Sequence, residues 1–171
     1  REVAIGYGAL ERANNSDVNG SLNVGIGYLA GTYVSSGRQN MFIGAYSGWG
    51  WASTDVEDDA KLQGSGNVGI GYYSLRNVQT YLTNHANNNI GIGTQAGQGI
   101  TWGNSNVAIG SHSMSVSNGY YNTYIGRSSG IANSANHNTG IGYFALSNGE
   151  DDDVTSNTGT QNVALGSYAL G

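Results

Sequence analysis

The sequence predicts an all-β fold, a parallel β-roll or β-solenoid of about nine coils. Three observations carry that expectation. One motif, Asn-Val-x-Ile-Gly-x-x-Ala followed by Leu or Gly, recurs nine times in the 171 residues. Its apolar residues alternate with period two, the spacing of a strand. Gly supplies 29 residues and Asn 21, and no stretch carries the apolar stripe of a helix.

The motif is anchored on Gly6, Gly27, Gly44, Gly71, Gly93, Gly110, Gly126, Gly142 and Gly166. The residue before the anchor is Ile in eight repeats and Leu165 in the ninth. Two residues earlier stand Val3, Val24, Met41, Val68, Ile90, Val107, Thr123, Thr139 and Val163. This triplet reads as a half-buried strand whose two outer side chains share one face. The residue between them is usually small, as in Gly25, Gly69, Gly91, Ala108 and Gly140, which suits a close neighbour. The anchor glycine allows a backbone conformation that a Cβ would penalise. Three residues after it stands Ala or Ser in every repeat, sized for another segment to pack closely.

Four residues before the anchor, Asn occurs in eight of nine repeats, with Glu2 in the first. Coils stacked ~4.8 Å apart place Asn23, Asn40, Asn67, Asn89, Asn106, Asn122, Asn138 and Asn162 in a hydrogen-bonded amide ladder. The anchors are 21, 17, 27, 22, 17, 16, 16 and 24 residues apart. The minimum of 16 is read as one bare coil of two or three short strands, and the excess as side loops. Loops are expected near 11–22, 49–66, 76–88 and 147–161 of a single repetitive segment, 1–171. Both ends fall inside a repeat, so a piece of a longer fibre is expected. Its rod would be on the order of 40 Å long.

Such a coil would enclose two or three bulky side chains. A second apolar face is then expected outside, formed by Leu10, Leu75, Met114, Leu146 and Leu170. Apolar faces at fixed repeat positions mark assembly surfaces, and a cyclic trimer would bury this one.

Asn106-Val-Ala-Ile-Gly110 and Asn162-Val-Ala-Leu-Gly166 resemble the head repeats of trimeric autotransporter adhesins of the Yersinia-adhesin type. Asn138-Thr-Gly-Ile-Gly-Tyr-Phe-Ala-Leu146 is similar to repeats common in phage tail fibres. The resemblance covers every repeat. It implies a left-handed roll, three copies per fibre, and attachment to matrix proteins, glycans or host cells. Left-handedness runs against the usual crossover rule and rests on the resemblance alone. The inserted loops depart from the nearly constant repeat of adhesin heads. A tail fibre or a loop-decorated adhesin, extracellular on a bacterial surface or a virion, is therefore expected.

Composition excludes other classes. The net charge is −5, and six Lys and Arg are scattered along the chain, so no basic stripe exists for nucleic acid. With no Cys, disulfides and zinc–thiolate sites are excluded. No apolar run approaches the ~20 residues of a membrane span. Gly25-Ile-Gly27-Tyr-Leu-Ala30 fits a dinucleotide fingerprint, but it repeats without the helix that fingerprint needs. His85, His112 and His137 occupy unrelated phases, so they form no metal array. No Ser-His-Asp set emerges from the spacing, and no enzyme is expected.

Two clusters carry most of the acidic residues: Asp55, Glu57, Asp58 and Asp59, then Glu150, Asp151, Asp152 and Asp153. Oxygen-rich loops can hold Ca²⁺, with Asp55, Asp58, Asp59, Asp151 and Asp153 as candidate ligands, though neither spacing matches an EF-hand. No other cofactor is expected. Paired carboxylates could also cut polysaccharide, which keeps a tailspike reading open. An ice-binding solenoid would need a regular Thr face. Only Thr123 and Thr139 share that phase. Trp49, Trp51, Trp102, Tyr120 and Tyr121 are the candidate glycan contacts, because aromatic planes stack on sugar faces. Tyr7, Tyr28, Tyr72 and Tyr143 follow the anchors in phase and read as structural.

Overall fold

Each Val-x-Ile triplet forms one strand, and every strand is three residues long. In chain order they are β1 (Val3–Ile5), β2 (Val24–Ile26), β3 (Met41–Ile43), β4 (Val68–Ile70), β5 (Ile90–Ile92), β6 (Val107–Ile109), β7 (Thr123–Ile125), β8 (Thr139–Ile141) and β9 (Val163–Leu165). The computed structural model describes residues 1–11, 22–34, 37–50, 64–77, 86–116, 118–147 and 159–170. The nine strands make a single parallel sheet in the order β1 to β9. Like pairs with like: Ile5 with Ile26, Ile70 with Ile92, Ile109 with Ile125. Neighbouring parallel strands in chain order require the chain to wind once per repeat, so the fold is a β-solenoid. The second and third strands per coil that the repeat length suggested are not formed among the described residues.

The remainder of each coil is held by backbone bonds between rungs. Residues with positive φ recur at four phases: five before the anchor, the anchor itself, and two and four after it. In the fourth and fifth repeats these are Gly66, Gly71, Tyr73 and Leu75, then Asn88, Gly93, Gln95 and Gly97. Each left-handed residue turns its N–H along the axis. Thus Gly93 N–H donates to Ile70 O, Gln95 to Tyr72 O, and Gly97 to Ser113 O, all at 2.8 Å. The same pattern recurs in the other inner turns, as from Gly110 to Ile92 O and His112 to Thr94 O.

Every anchor glycine but Gly166, on which no described rung stacks, is required twice over. The anchors' φ lies between 119 and 137, and a Cβ on Gly71 would sit 2.7 Å from Gly93 O of the next rung.

Inside, the asparagine ladder forms as the repeat predicts. Asn40 donates from its backbone N–H and its Nδ2 to Asn23 Oδ1, at 2.9 and 3.2 Å. Asn67 does the same to Asn40, and Asn106 to Asn89. The second Nδ2 proton reaches a carbonyl of the next coil, as from Asn106 to Gly119 O at 2.7 Å. Glu2 fills the first place, where its carboxylate accepts from Asn23 Nδ2. The Ala or Ser three after the anchor is buried in eight repeats, with Ala169 partly so.

A second column went unread in the sequence. Six residues before the anchors, Ser65, Asn87 and Asn136 accept from backbone N–H groups of the preceding rung. Asn104 completes it by accepting from Asn87 N–H. Ser or Asn at that phase was the available signal.

The apolar faces differ from expectation. Leu10, Leu75, Met114 and Leu146 are not an outer face: they are core, between 0 and 6 % exposed. Leu170, in the ninth repeat, is exposed because no described coil stacks on it. The middle residue of the strand faces inward, and the Val and Ile on either side face outward, half-buried or exposed.

The interior is also thinner than expected. Where the strand's middle residue is large, as in Phe42 and Tyr124, the residue four after the anchor is Gly48 or Gly130. A Cβ there would meet the ring at 2.3 and 2.5 Å. Where both positions are glycine, Gly25 with Gly31 and Gly91 with Gly97, the fill comes from Leu10 and Leu75 of the preceding rung. Buried Val34 and Ile100 complete those two coils. Each bulky side chain thus fills the room left by a glycine at a facing position, as close packing demands.

Candidate functional site

Two surface features follow from this geometry. The first is an apolar stripe. Because the strand's middle residue turns inward, the flanking Val, Ile, Met, Thr and Leu stack outward in two columns over all nine strands. Met41 and Ile141 are both 39 % exposed. None of the nine strands of the described residues carries a charged side chain.

The second is a cluster of rings and one guanidinium beside the second to fourth repeats. Tyr46 stacks on Tyr73 with centroids 4.8 Å apart and lies edge-to-face with Tyr28, Trp49 and Tyr72. Tyr33 meets Trp49 at 6.0 Å, and Tyr7 extends the row by stacking on Tyr28. Arg76 spans the edge, 4.5 Å from the Tyr73 ring and 5.2 Å from Trp49. Burial, with the neighbouring Tyr28 and Tyr73, raises the Tyr46 pKa. The Tyr73 hydrogen bond does the same for Tyr72. Both phenols therefore stay neutral and keep a proton to donate. A smaller group joins Tyr143, Phe144, Tyr168 and Arg127, whose Nη1 donates to Tyr143 Oη at 3.1 Å.

Of the five candidate glycan contacts, Trp49 lies within the larger cluster. Trp102 and Tyr120 pair at 5.6 Å, while Tyr121 stacks on His137 at 5.0 Å. Trp51 lies outside the described residues, as do Asp55, Asp58, Asp59, Asp151, Asp153 and His85. His112 pairs with the Ser111 hydroxyl at 2.8 Å. Among the described residues no group of three His, Cys, Asp or Glu could hold a metal ion, and no helix is long and apolar enough to cross a membrane. Reading from the repeat singled out the tryptophans and missed Tyr46, Tyr73 and Arg76. The second residue after the anchor varies too much to stand out in the motif.

Compared with protein-family models, curated proteins and solved structures, the chain finds no match. The fold by itself defines the class, a repetitive parallel β-solenoid.

Proposed function

We propose that this chain is a structural and adhesive segment of an extracellular trimeric fibre, a bacterial surface adhesin or a virion tail fibre, that attaches to a host or surface receptor. The observation that carries the reading is the outward stripe of Val and Ile. It is uncharged on its strands and stacks like on like over nine strands. A straight apolar seam with one repeat length suits a second copy of the same chain, whose stripe has the same period. The occupants are two further copies, each a left-handed roll, packed about one axis, as the resemblance to adhesin heads and tail fibres implies. The face that meets them is the Val/Ile stripe and not the leucines.

A fibre of this kind would need no reaction chemistry of its own. Its ladders of asparagine and backbone bonds give stiffness, and its side surface is left for contact.

The test is the molar mass of the purified segment by light scattering. A value near three times 17.7 kDa, about 53 kDa, supports the trimer. A single 17.7 kDa species at all accessible concentrations rejects it.

A further inference from the structure

The backbone requires a left-handed residue two positions after each anchor, whatever the side chain. Tyr46, Tyr73, Gln95, His112 and Ser128 all lie at φ between 55 and 59. In the fifth, sixth and seventh repeats the two residues after the anchor are polar: Thr94-Gln95, Ser111-His112 and Arg127-Ser128. The fold therefore does not need aromatic rings there, and a bulky side chain at positive φ is disfavoured. Tyr46 and Tyr73, in the third and fourth repeats, are held against that preference. The larger group of rings gathers beside them, with Tyr28 and Tyr72 47 and 48 % exposed.

We infer that Tyr28, Tyr46, Tyr72, Tyr73, Trp49 and Arg76 form a ridge that binds a saccharide chain. The inference rests on the adhesive reading above and names the ligand class of that fibre. A contact between copies would engage every repeat, as the Val/Ile stripe does. The rings instead fall into two groups, one in the first four repeats and one in the eighth and ninth, separated by the polar fifth to seventh, so each has the footprint of a ligand of finite length. Its chemistry is ring planes, phenol hydroxyls and one guanidinium, with no aliphatic side chain among the six. A sugar ring offers the matching set, a CH face to stack on an aromatic plane and a rim of hydroxyls to pair with phenols. The Arg76 charge sits over two rings at the ridge edge, placed to meet an acidic substituent on the sugar.

The solenoid supplies its own control. Tyr72→Thr with Tyr73→Gln copies the Thr94-Gln95 pair, which the same backbone accepts one repeat later. Wild type and this double variant are titrated against immobilised tetrasaccharides of glucose, of N-acetylglucosamine and of a sialylated lactosamine. Molar mass and melting temperature are measured on the same samples. The expected result is binding of at least one probe, weakened about ten-fold or more in the variant, with mass and melting unchanged. Absence of binding to all three probes overturns the inference, and so does equal affinity of the two proteins. A variant that loses its assembly mass also overturns it, because the rings then belong to the contact between copies. A wild-type trimer that binds no probe rejects the ridge alone. A wild-type monomer that binds rejects the trimeric fibre and leaves the ridge standing.

Discussion

At the scale of single residues, the fold is decided by positions where only one side chain works. Gly71 shows both constraints, with φ at +129 and the Gly93 carbonyl within 2.7 Å of where its Cβ would be. Leu75, at φ 49, shows the opposite bargain. A left-handed leucine is disfavoured, yet complete burial offsets it, since fully burying such a side chain contributes ~1.5–3 kcal/mol. Tyr124 is the oddity. Its ring fills the seventh coil, but its hydroxyl is buried without a hydrogen-bond partner. Burial pushes its pKa well above the ordinary tyrosine value. A raised phenol pKa means the folded state prefers the neutral form. That contribution is complete below the ordinary value of 10.0 and is lost as pH rises above it. Tyr124→Phe is expected to leave neutral-pH stability unchanged or raised by ~1 kcal/mol, and to soften the loss above pH ~10. Thermal melts of both proteins between neutral and strongly alkaline pH check this. A variant less stable by over ~1 kcal/mol at neutral pH would show that the hydroxyl makes a bond worth keeping.

At the scale of the element, the repeat was legible and its orientation was not. Asn four before the anchor, Ile one before and Ala or Ser three after recur tightly enough to fix strand, ladder and rung count. Alternation within Val-x-Ile states that two faces exist but not which one is inside. The clue was the small middle residue, Gly25 or Gly91, which makes room for a leucine from the rung before. Leu10, Leu75, Met114 and Leu146 looked like an outer face because four consecutive changes of backbone hand, unreadable from propensity, fold them back into the core. The aromatic ridge was half legible: Trp49 stood out by type, whereas Tyr46 and Tyr73 occupy a phase that holds Gln95 and Ser128 elsewhere. The ladder itself can be measured. Asn106 Oδ1 accepts from both the backbone N–H and Nδ2 of Asn122, at 3.0 and 3.2 Å, inside the roll. Asn106→Ala strands those donors and the Gly119 carbonyl, at ~1–3 kcal/mol for each buried group left unpaired. The same change at Asn162, in the half-buried last rung, is expected to cost less, and chemical denaturation of the two variants checks the order.

At the scale of the whole molecule, the chain separates its tasks by direction. Along the axis, each rung binds only its neighbours, so stability is a sum of similar interfaces, as in other solenoids. Across the axis, the inner face is filled by large side chains packed against glycines. The outer face of the strands is the apolar seam on which the proposed fibre depends. The central claim is that copies of the chain meet on that seam. The chain has no cysteine, so one introduced thiol reports on one place. Ile141, on β8, is 39 % exposed in the lone chain, and Tyr121, outside the strands, is 58 % exposed. The direct measurement is the rate at which a water-soluble maleimide labels Ile141→Cys, compared with Tyr121→Cys. A seam closed by other copies predicts labelling of Ile141→Cys slower by about ten-fold or more, the signature of a surface taken from water. Similar rates for the two thiols would contradict the seam, and the trimer built on it.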